Sequence, residues 1–237
     1  MSVKKHIPNA ITCLNAISGC VAIYFSFKGN FTYALLAVLA AAAFDFLDGL
    51  AARTLHAYSD VGKELDSLCD VVSFGVAPSM MIVNFMLLTA SAPVWICFIP
   101  ILIAVFSALR LAKFNLDTRQ SENFIGLPVP ADALFFCSLV AYADYSQNAF
   151  NSLTGFSLFL PLLSAVFSYL LVSEMPFFSM KFKSLSLKAN QKRYIFIVLA
   201  VLCVIAGTVI GIRWEGILFY VLCVYLIVNA VSDIFGR

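Results

Sequence analysis

The chain alternates between long apolar stretches and short polar breaks. About 20 apolar residues are needed to cross a hydrocarbon core of about 30 Å, and eight stretches are candidates for such spans: residues 9–28, 31–54, 66–90, 94–115, 131–148, 157–174, 194–212 and 214–233. The breaks between them carry Gly, Pro, Asn or charged residues, which interrupt helices. The pattern therefore predicts an all-α fold, a polytopic membrane helix bundle of about eight transmembrane helices.

The composition supports a membrane protein and excludes other classes. Of the 237 residues, 62% are hydrophobic and 12% are charged, against roughly 25% charged in an average soluble domain. So few charges cannot cover the surface of a water-soluble globule, and so many apolar residues exclude disorder. A net charge of +2 gives no indication of nucleic-acid binding. The seven cysteines are scattered, which argues against a disulfide framework or a zinc site.

The basic residues predict how the bundle is oriented. With a cytoplasmic N-terminus, 13 of the 15 Lys and Arg residues fall on the cytoplasmic side, and only Lys28 and Arg213 fall on the other. Such a bias is the positive-inside rule, and it predicts that both termini are cytoplasmic. The first stretch lacks a small-residue cleavage site, so we expect it to be a retained helix.

The breaks are short, which predicts one domain over residues 1–237 rather than two. We expect its catalytic core at about residues 1–174, followed by two additional C-terminal spans at about 194–233.

Four aspartates lie where a membrane helix should avoid them, since a carboxylate there costs roughly 2.5–3.5 kcal/mol. Asp45 and Asp48 are three residues apart in the second stretch, and Asp66 and Asp70 are four apart in the third. Each pair shares one helix face, and both pairs are expected near the cytoplasmic interface. Four converging carboxylates need compensation, and all-oxygen ligands without His or Cys favour Mg²⁺ or Mn²⁺.

The neighbouring residues indicate a phosphate-bearing substrate at the membrane surface. Gly49 and Ala52 remove side-chain bulk beside the acids, so that a ligand or a second helix can approach. Arg53 can bind phosphate oxygens in a bidentate manner. Two structural alternatives are an ion-pair network of Asp45, Asp48 and Arg53, and a helix start that favours Asp66 and Asp70 through its dipole.

These residues resemble the motif of the CDP-alcohol phosphotransferase family, D-x-x-D-G-x-x-A-R-x8-G-x3-D-x3-D. In this sequence the motif occupies 26 residues and every fixed position matches: Asp45, Asp48, Gly49, Ala52, Arg53, Gly62, Asp66 and Asp70. The resemblance implies transfer of a phosphatidyl group from CDP-diacylglycerol or a related CDP-alcohol to an alcohol, with release of CMP.

The resemblance also implies roles for individual residues. The four aspartates would hold two divalent cations, and Asp70 would also be the general base. The residues expected to bind the CDP-lipid are Gly49, Ala52, Arg53, Ser59, Gly62, Asn9 and Thr12, the last two from the segment Pro8-Asn9-Ala10-Ile11-Thr12. That segment is similar to one that often opens the first core helix of the family.

Two further segments are similar to those of the family branch whose acceptor is serine. One is Arg110-Leu111-Ala112-Lys113-Phe114-Asn115, and the other is Phe124-Ile125-Gly126-Leu127-Pro128-Val129-Pro130. Arg110 or Lys113 could bind the carboxylate of serine, and Asn115 could bond its amine or carboxylate. The alternative is that Arg and Lys at this position only reflect the positive-inside rule and the helix dipole.

We therefore expect an integral membrane enzyme with its active site at the cytoplasmic face, in the plasma or inner membrane of a bacterium. Its expected partners are CDP-diacylglycerol, L-serine and the lipid bilayer, without nucleic acid, and a homodimer is one option. The alternatives are another acceptor (glycerol 3-phosphate, inositol or choline), a cation transporter, and a structural membrane subunit. Transporters usually place acids at mid-membrane between related halves.

Overall fold

The structure is a computed structural model that describes residues 6–89, 93–116, 124–146, 156–180 and 190–235. Within these ranges the helices are α1 (His6–Phe27), α2 (Phe31–Thr54), α3 (Asp60–Asp70), α4 (Ala77–Thr89), α5 (Ile101–Leu116), α6 (Val129–Tyr145), α7 (Phe156–Val172), α8 (Gln191–Ile210) and α9 (Trp214–Phe235). A π-helical turn (Val71–Val76) joins α3 to α4, and a 3-10 turn (Ile96–Phe98) precedes α5. Two short strands, β1 (Phe124–Ile125) and β2 (Pro176–Phe177), pair antiparallel.

The predicted all-helical membrane bundle is confirmed. Six helical segments among the described residues are long and apolar enough to cross a membrane, and the segment from α3 through α4 counts as one of them. All eight predicted stretches fall on helices. The difference between six and eight arises because α6 and α7 have 17 residues each, which is at the lower limit for a span.

Helix α1 and helix α6 are the centres of packing. Helix α1 contacts α2, α3, the π turn and α4, whereas α6 contacts α2, α4 and α9. Fully buried apolar residues such as Phe74, Met81 and Phe136 form the core. By contrast, only 6% of the apolar window of α8 is buried inside the bundle, so this helix lies at the periphery with its apolar surface free to face lipid.

The π turn brings the middle of α1 unusually close to the chain that follows α3. A side-chain carbon at Gly19 would lie 2.5 Å from Ser73 Oγ and 2.7 Å from Ser73 Cα, so only glycine permits this approach. Ser73 Oγ donates a hydrogen bond to the backbone oxygen of Asn15, at 2.9 Å. A π turn often occurs at a functional site, and this one starts directly after Asp70.

A tight re-entry leads into α6. Gly126 adopts a φ of 78°, and its backbone N–H donates to the oxygen of Met175 at 2.9 Å. Leu127 then donates to the oxygen of Leu170 at 3.0 Å. These bonds hold the β1 segment against the end of α7 and the chain that follows it.

Helix α9 bonds to the chain directly after β2. Asn229 Oδ1 accepts a hydrogen bond from the backbone N–H of Phe178 at 2.9 Å, and the Tyr225 hydroxyl donates to the oxygen of Phe178 at 3.2 Å. Near the opposite end of α9, Arg213 forms an ion pair with the fully buried Glu215, which also accepts a hydrogen bond from Thr32 Oγ1. The C-terminal helix is thus bonded to the rest of the bundle near both of its ends.

Replacing Gly126 by alanine is expected to destabilise the protein by more than the same change at Gly211. Both glycines have positive φ, but a Cβ at Gly126 would lie 2.5 Å from the backbone oxygen of Leu171, whereas one at Gly211 would meet nothing within 4 Å. We expect Gly126→Ala to cost about 1–3 kcal/mol, and Gly211→Ala to cost less. Thermal unfolding in detergent measures both, and equal shifts would contradict the close contact.

Candidate active site

The turn between α2 and α3 brings three aspartates together. Asp45, Asp48 and Asp66 each offer a carboxylate oxygen, and these oxygens all lie within 4.8 Å of one another. Asp48 is buried and the other two are half-buried. Buried oxygens of Asp48 and Asp66 have no hydrogen-bond partner, so they remain available to a ligand.

Local sequence explains why the two helices meet at this point. Ser59 is the N-cap of α3, and its Oγ accepts a hydrogen bond from the backbone N–H of Gly62 at 3.0 Å. Before it, His56 adopts a φ of 50°, which turns the chain sharply after α2. Asp66 therefore lies within the first two turns of α3, opposite the last turns of α2.

Asp70 lies one turn further along and is held by α1. Its Oδ1 accepts a hydrogen bond from Asn15 Nδ2 at 2.9 Å, and only 8% of the residue is exposed. Asp70 also interacts electrostatically with Asp45 and Asp66. Asn15 thus restrains the Asp70 carboxylate, a contact that sequence reasoning missed.

The three clustered acids fit a divalent cation. In the part of the chain that the structure describes, no Lys or Arg forms an ion pair with any of them. Carboxylates this close repel one another, and a hard cation that binds oxygen ligands would offset the repulsion. The donor set contains oxygen and no His or Cys, which is the chemistry that Mg²⁺ and Mn²⁺ prefer.

A cavity of about 310 Å³ adjoins the acids. Its lining includes Asp48 and Asp66, and it also includes every residue predicted to bind the CDP-lipid: Asn9, Thr12, Gly49, Ala52, Arg53, Ser59 and Gly62. The structure therefore brings these seven residues, from α1, α2 and α3, to one site.

The two glycines of this cavity shape it differently. A Cβ at Gly49 would meet nothing within 4 Å, so the backbone there is open to a ligand. A Cβ at Gly62 would lie 2.9 Å from Ser59 Oγ and 3.0 Å from Asn9 Oδ1, so glycine allows α1 to approach the start of α3. Arg53 is exposed, and its Nε donates to the backbone oxygen of Gly49 at 2.9 Å, which holds its guanidinium at the cavity wall.

The predicted acceptor-binding residues have different surroundings. Arg110 is 7% exposed, and its Cζ lies 5.9 Å from the ring centroids of both Phe114 and Phe124. Lys113 is exposed. Asn115 Nδ2 donates to Ser67 Oγ at 2.9 Å, and the Asn115 backbone oxygen accepts from Lys63 Nζ at 3.1 Å. Asn115 therefore joins the end of α5 to α3.

Asp132 is a second buried polar residue that sequence reasoning did not assign to the site. It lies in the first turn of α6, is fully buried, and interacts electrostatically with Arg110. The sequence did contain a signal for Asp132, because a carboxylate inside an apolar span is itself an indication of function.

The chain belongs to the CDP-alcohol phosphatidyltransferase family, whose family model matches residues 5–170. Among curated relatives, a CDP-diacylglycerol–serine O-phosphatidyltransferase of Bacillus subtilis is 36% identical over 181 residues, 73% of this chain and 90% of the relative. One of the same name from Mycobacterium tuberculosis is 35% identical over 204 residues, 82% of this chain and 68% of the relative. An archaetidylserine synthase of Methanothermobacter thermautotrophicus is 38% identical over 150 residues, 60% of each protein.

Asp66→Asn is expected to weaken divalent-cation binding by about 10-fold or more, because it removes one of three clustered carboxylate charges. Titration of the purified protein with Mn²⁺, followed by the paramagnetic resonance of the free ion, measures this affinity. Asp60→Asn is the matched control, since Asp60 lies in the first turn of the same helix and is exposed. Equal Mn²⁺ affinity in the two variants would exclude Asp66 as a ligand.

Proposed function

We propose that this chain transfers the phosphatidyl group of CDP-diacylglycerol to the hydroxyl of L-serine, which yields phosphatidylserine and CMP. The observation that carries the proposal is the cluster of Asp45, Asp48 and Asp66 beside a cavity lined by the family's motif residues. The name shared by the Bacillus subtilis and Mycobacterium tuberculosis relatives supports serine as the acceptor.

The cavity residues bind the CDP part of the lipid substrate. The open backbone at Gly49 allows a phosphate to approach closely, and the guanidinium of Arg53 is positioned at the same wall. Arginine binds phosphate oxygens through charged, bidentate hydrogen bonds. Asn9 and Ser59 supply further polar groups in the cavity lining, where they contact the nucleotide.

Asp70 accepts the proton of the serine hydroxyl. A general base must be held in a fixed direction, and Asn15 donates a hydrogen bond to Oδ1 of Asp70. The oxygen that then attacks the lipid-side phosphorus is activated as its proton moves to Asp70, and CMP is the leaving group. Arg110 holds the carboxylate of serine, while Lys113 and Asn115 contribute to the same acceptor region from the end of α5.

Asp45, Asp48, Asp66 and Asp70 would hold two divalent cations, Mg²⁺ or Mn²⁺. When bound, such cations neutralise charge that develops on the phosphate oxygens and help to align an in-line displacement. The fit rests on clustered carboxylate oxygens, some of them buried without a partner.

The bundle has eight spans, with both termini and the active site at the cytoplasmic face. The division of the basic residues supports this orientation. The chain is a single domain in which the two C-terminal spans, α8 and α9, supplement a core that ends near residue 174. We place the protein in the plasma or inner membrane of a bacterial cell, with a homodimer as one option for its assembly.

Purified protein with CDP-diacylglycerol and Mn²⁺ or Mg²⁺ is expected to release CMP when serine is added. Glycerol 3-phosphate, inositol and choline, each tested in turn, are expected to give little release. CMP release that depends on another alcohol but not on serine would overturn the assigned acceptor. An absence of CMP release with every alcohol would overturn the phosphatidyl transfer itself.

Asp70→Asn is expected to lower kcat by about 100-fold or more, since it removes the general base. Asn15→Ala is expected to lower kcat by about 10-fold, because Asp70 then loses the hydrogen bond that orients it. Ser18→Ala is the control for Asn15, as the Ser18 hydroxyl bonds only to the backbone of its own helix, at Leu14. A kcat for Asn15→Ala equal to that of Ser18→Ala would contradict the orienting role.

A further inference from the structure

Asp132 is a buried acid whose side chain has no hydrogen-bond partner among the described residues. The residue is 0% exposed, and neither of its carboxylate oxygens has a hydrogen-bond partner. Its backbone N–H donates to Pro128 within the first turn of α6, where the helix dipole favours a negative charge. That dipole lowers the cost of burial but satisfies neither oxygen, so the carboxylate remains an unused acceptor.

Arg110, on α5, is the matching unused donor. It is 7% exposed, and its Nε and Nη2 atoms have no hydrogen-bond partner. Asp132 and Arg110 interact through their charges, yet no hydrogen bond joins them. Ser107, one turn earlier on α5, adds a fully buried hydroxyl that also lacks a partner.

Buried polar groups without hydrogen-bond partners are unfavourable, so this arrangement requires an explanation. A structural ion pair would place a carboxylate and a guanidinium in direct contact, and here both retain free polar atoms. A small ligand that carries both a positive and a negative group would satisfy both. The rings of Phe114 and Phe124, each 5.9 Å from the Arg110 guanidinium, limit access of water to it.

We propose that Asp132 binds the α-ammonium group of the amino-acid acceptor while Arg110 binds its carboxylate. The inference rests on the proposed function and extends it, since it assigns the residue that recognises the amine. Arg110 also interacts electrostatically with Asp70, which links the proposed amino-acid site to the proposed general base. The serine hydroxyl can then turn toward Asp70.

This pairing explains how serine is selected over other alcohols. Glycerol 3-phosphate would bring a doubly charged anion toward the Asp132 carboxylate, which repels it. Inositol carries no charge and would leave both Asp132 and Arg110 unsatisfied. Choline lacks the carboxylate that Arg110 requires. A site whose buried polar groups are left unpaired rejects such analogues strongly.

The test varies the charge of Asp132 and the amine of the acceptor separately. Asp132→Asn preserves the shape of the side chain but removes its charge. We expect the KM for L-serine to rise by about 10-fold or more, with the KM for CDP-diacylglycerol and the Mn²⁺ affinity unchanged. L-Glycerate, which has a hydroxyl in place of the ammonium group and the same configuration as L-serine, is the second acceptor. The preference for L-serine over L-glycerate is expected to narrow by a similar factor in the variant.

Asp144→Asn is the matched control, because Asp144 lies near the opposite end of the same helix and is half-buried. It is expected to keep the wild-type KM for serine to within about twofold. Direct binding of serine to Asp70→Asn protein, with and without Asp132→Asn, provides a readout that does not depend on turnover. We expect serine affinity to fall only when Asp132 is changed.

An unchanged KM and an unchanged preference for L-serine over L-glycerate in Asp132→Asn would overturn the proposal and leave Asp132 with a structural role. If that variant does not fold, the wild-type protein provides the test. Equal use of L-serine and L-glycerate by the wild type would show that the ammonium group is not recognised. Because serine-dependent CMP release is measured first, a failure of this inference is distinguishable from a failure of the proposed function.

Discussion

The mutual repulsion of four carboxylates at one end of the bundle is the constraint on which the site depends. Asp45, Asp48 and Asp66 can converge only because the turn after α2 and the Ser59 cap set α3 against it. Asp70 is held in the same group by Asn15, and α1 can come that close because residue 19 is glycine. Each of these local features brings like charges nearer, which is unfavourable without a ligand. Among the described residues these acids form no ion pair. This is the arrangement expected of a cation-binding site rather than of an ion-pair network.

The proposed acceptor region is formed by other elements of the fold. Arg110 comes from α5, Asp132 comes from the start of α6, and Phe124 belongs to β1. The strand β1 pairs with β2, and α9 binds the backbone of Phe178 directly after β2. This chain of contacts connects the C-terminal helix to the ring that flanks Arg110. The helices beyond the matched residues 5–170 are thus bonded to the part of the fold that carries Phe124, the ring beside Arg110.

Much of this architecture could be predicted because a membrane helix depends on a contiguous run of apolar residues. Apolar length determines where a span lies, and all eight predicted stretches are helical, although α6 and α7 are short for a span. The spacing of the acids on α2 and α3 likewise predicts a shared face, and the cavity contains all seven residues expected around the nucleotide. Asn115 stays a predicted acceptor residue, and the structure adds that its amide bonds to Ser67 on α3. A side chain near a helix end can turn toward several neighbours, and sequence does not say which of them it meets.

The sequence by itself determined the membrane class, the helical spans, the family motif and the position of the acids along each helix. These properties depend on the composition and periodicity of contiguous residues. The tertiary structure alone decided that Asn15 bonds to Asp70, that Ser73 requires a glycine at position 19, and that Asp132 and Arg110 interact without a hydrogen bond. Those relations join residues up to 55 positions apart, because they depend on how helices rotate and approach one another. The packing of helices against one another produces no periodic pattern in a single sequence.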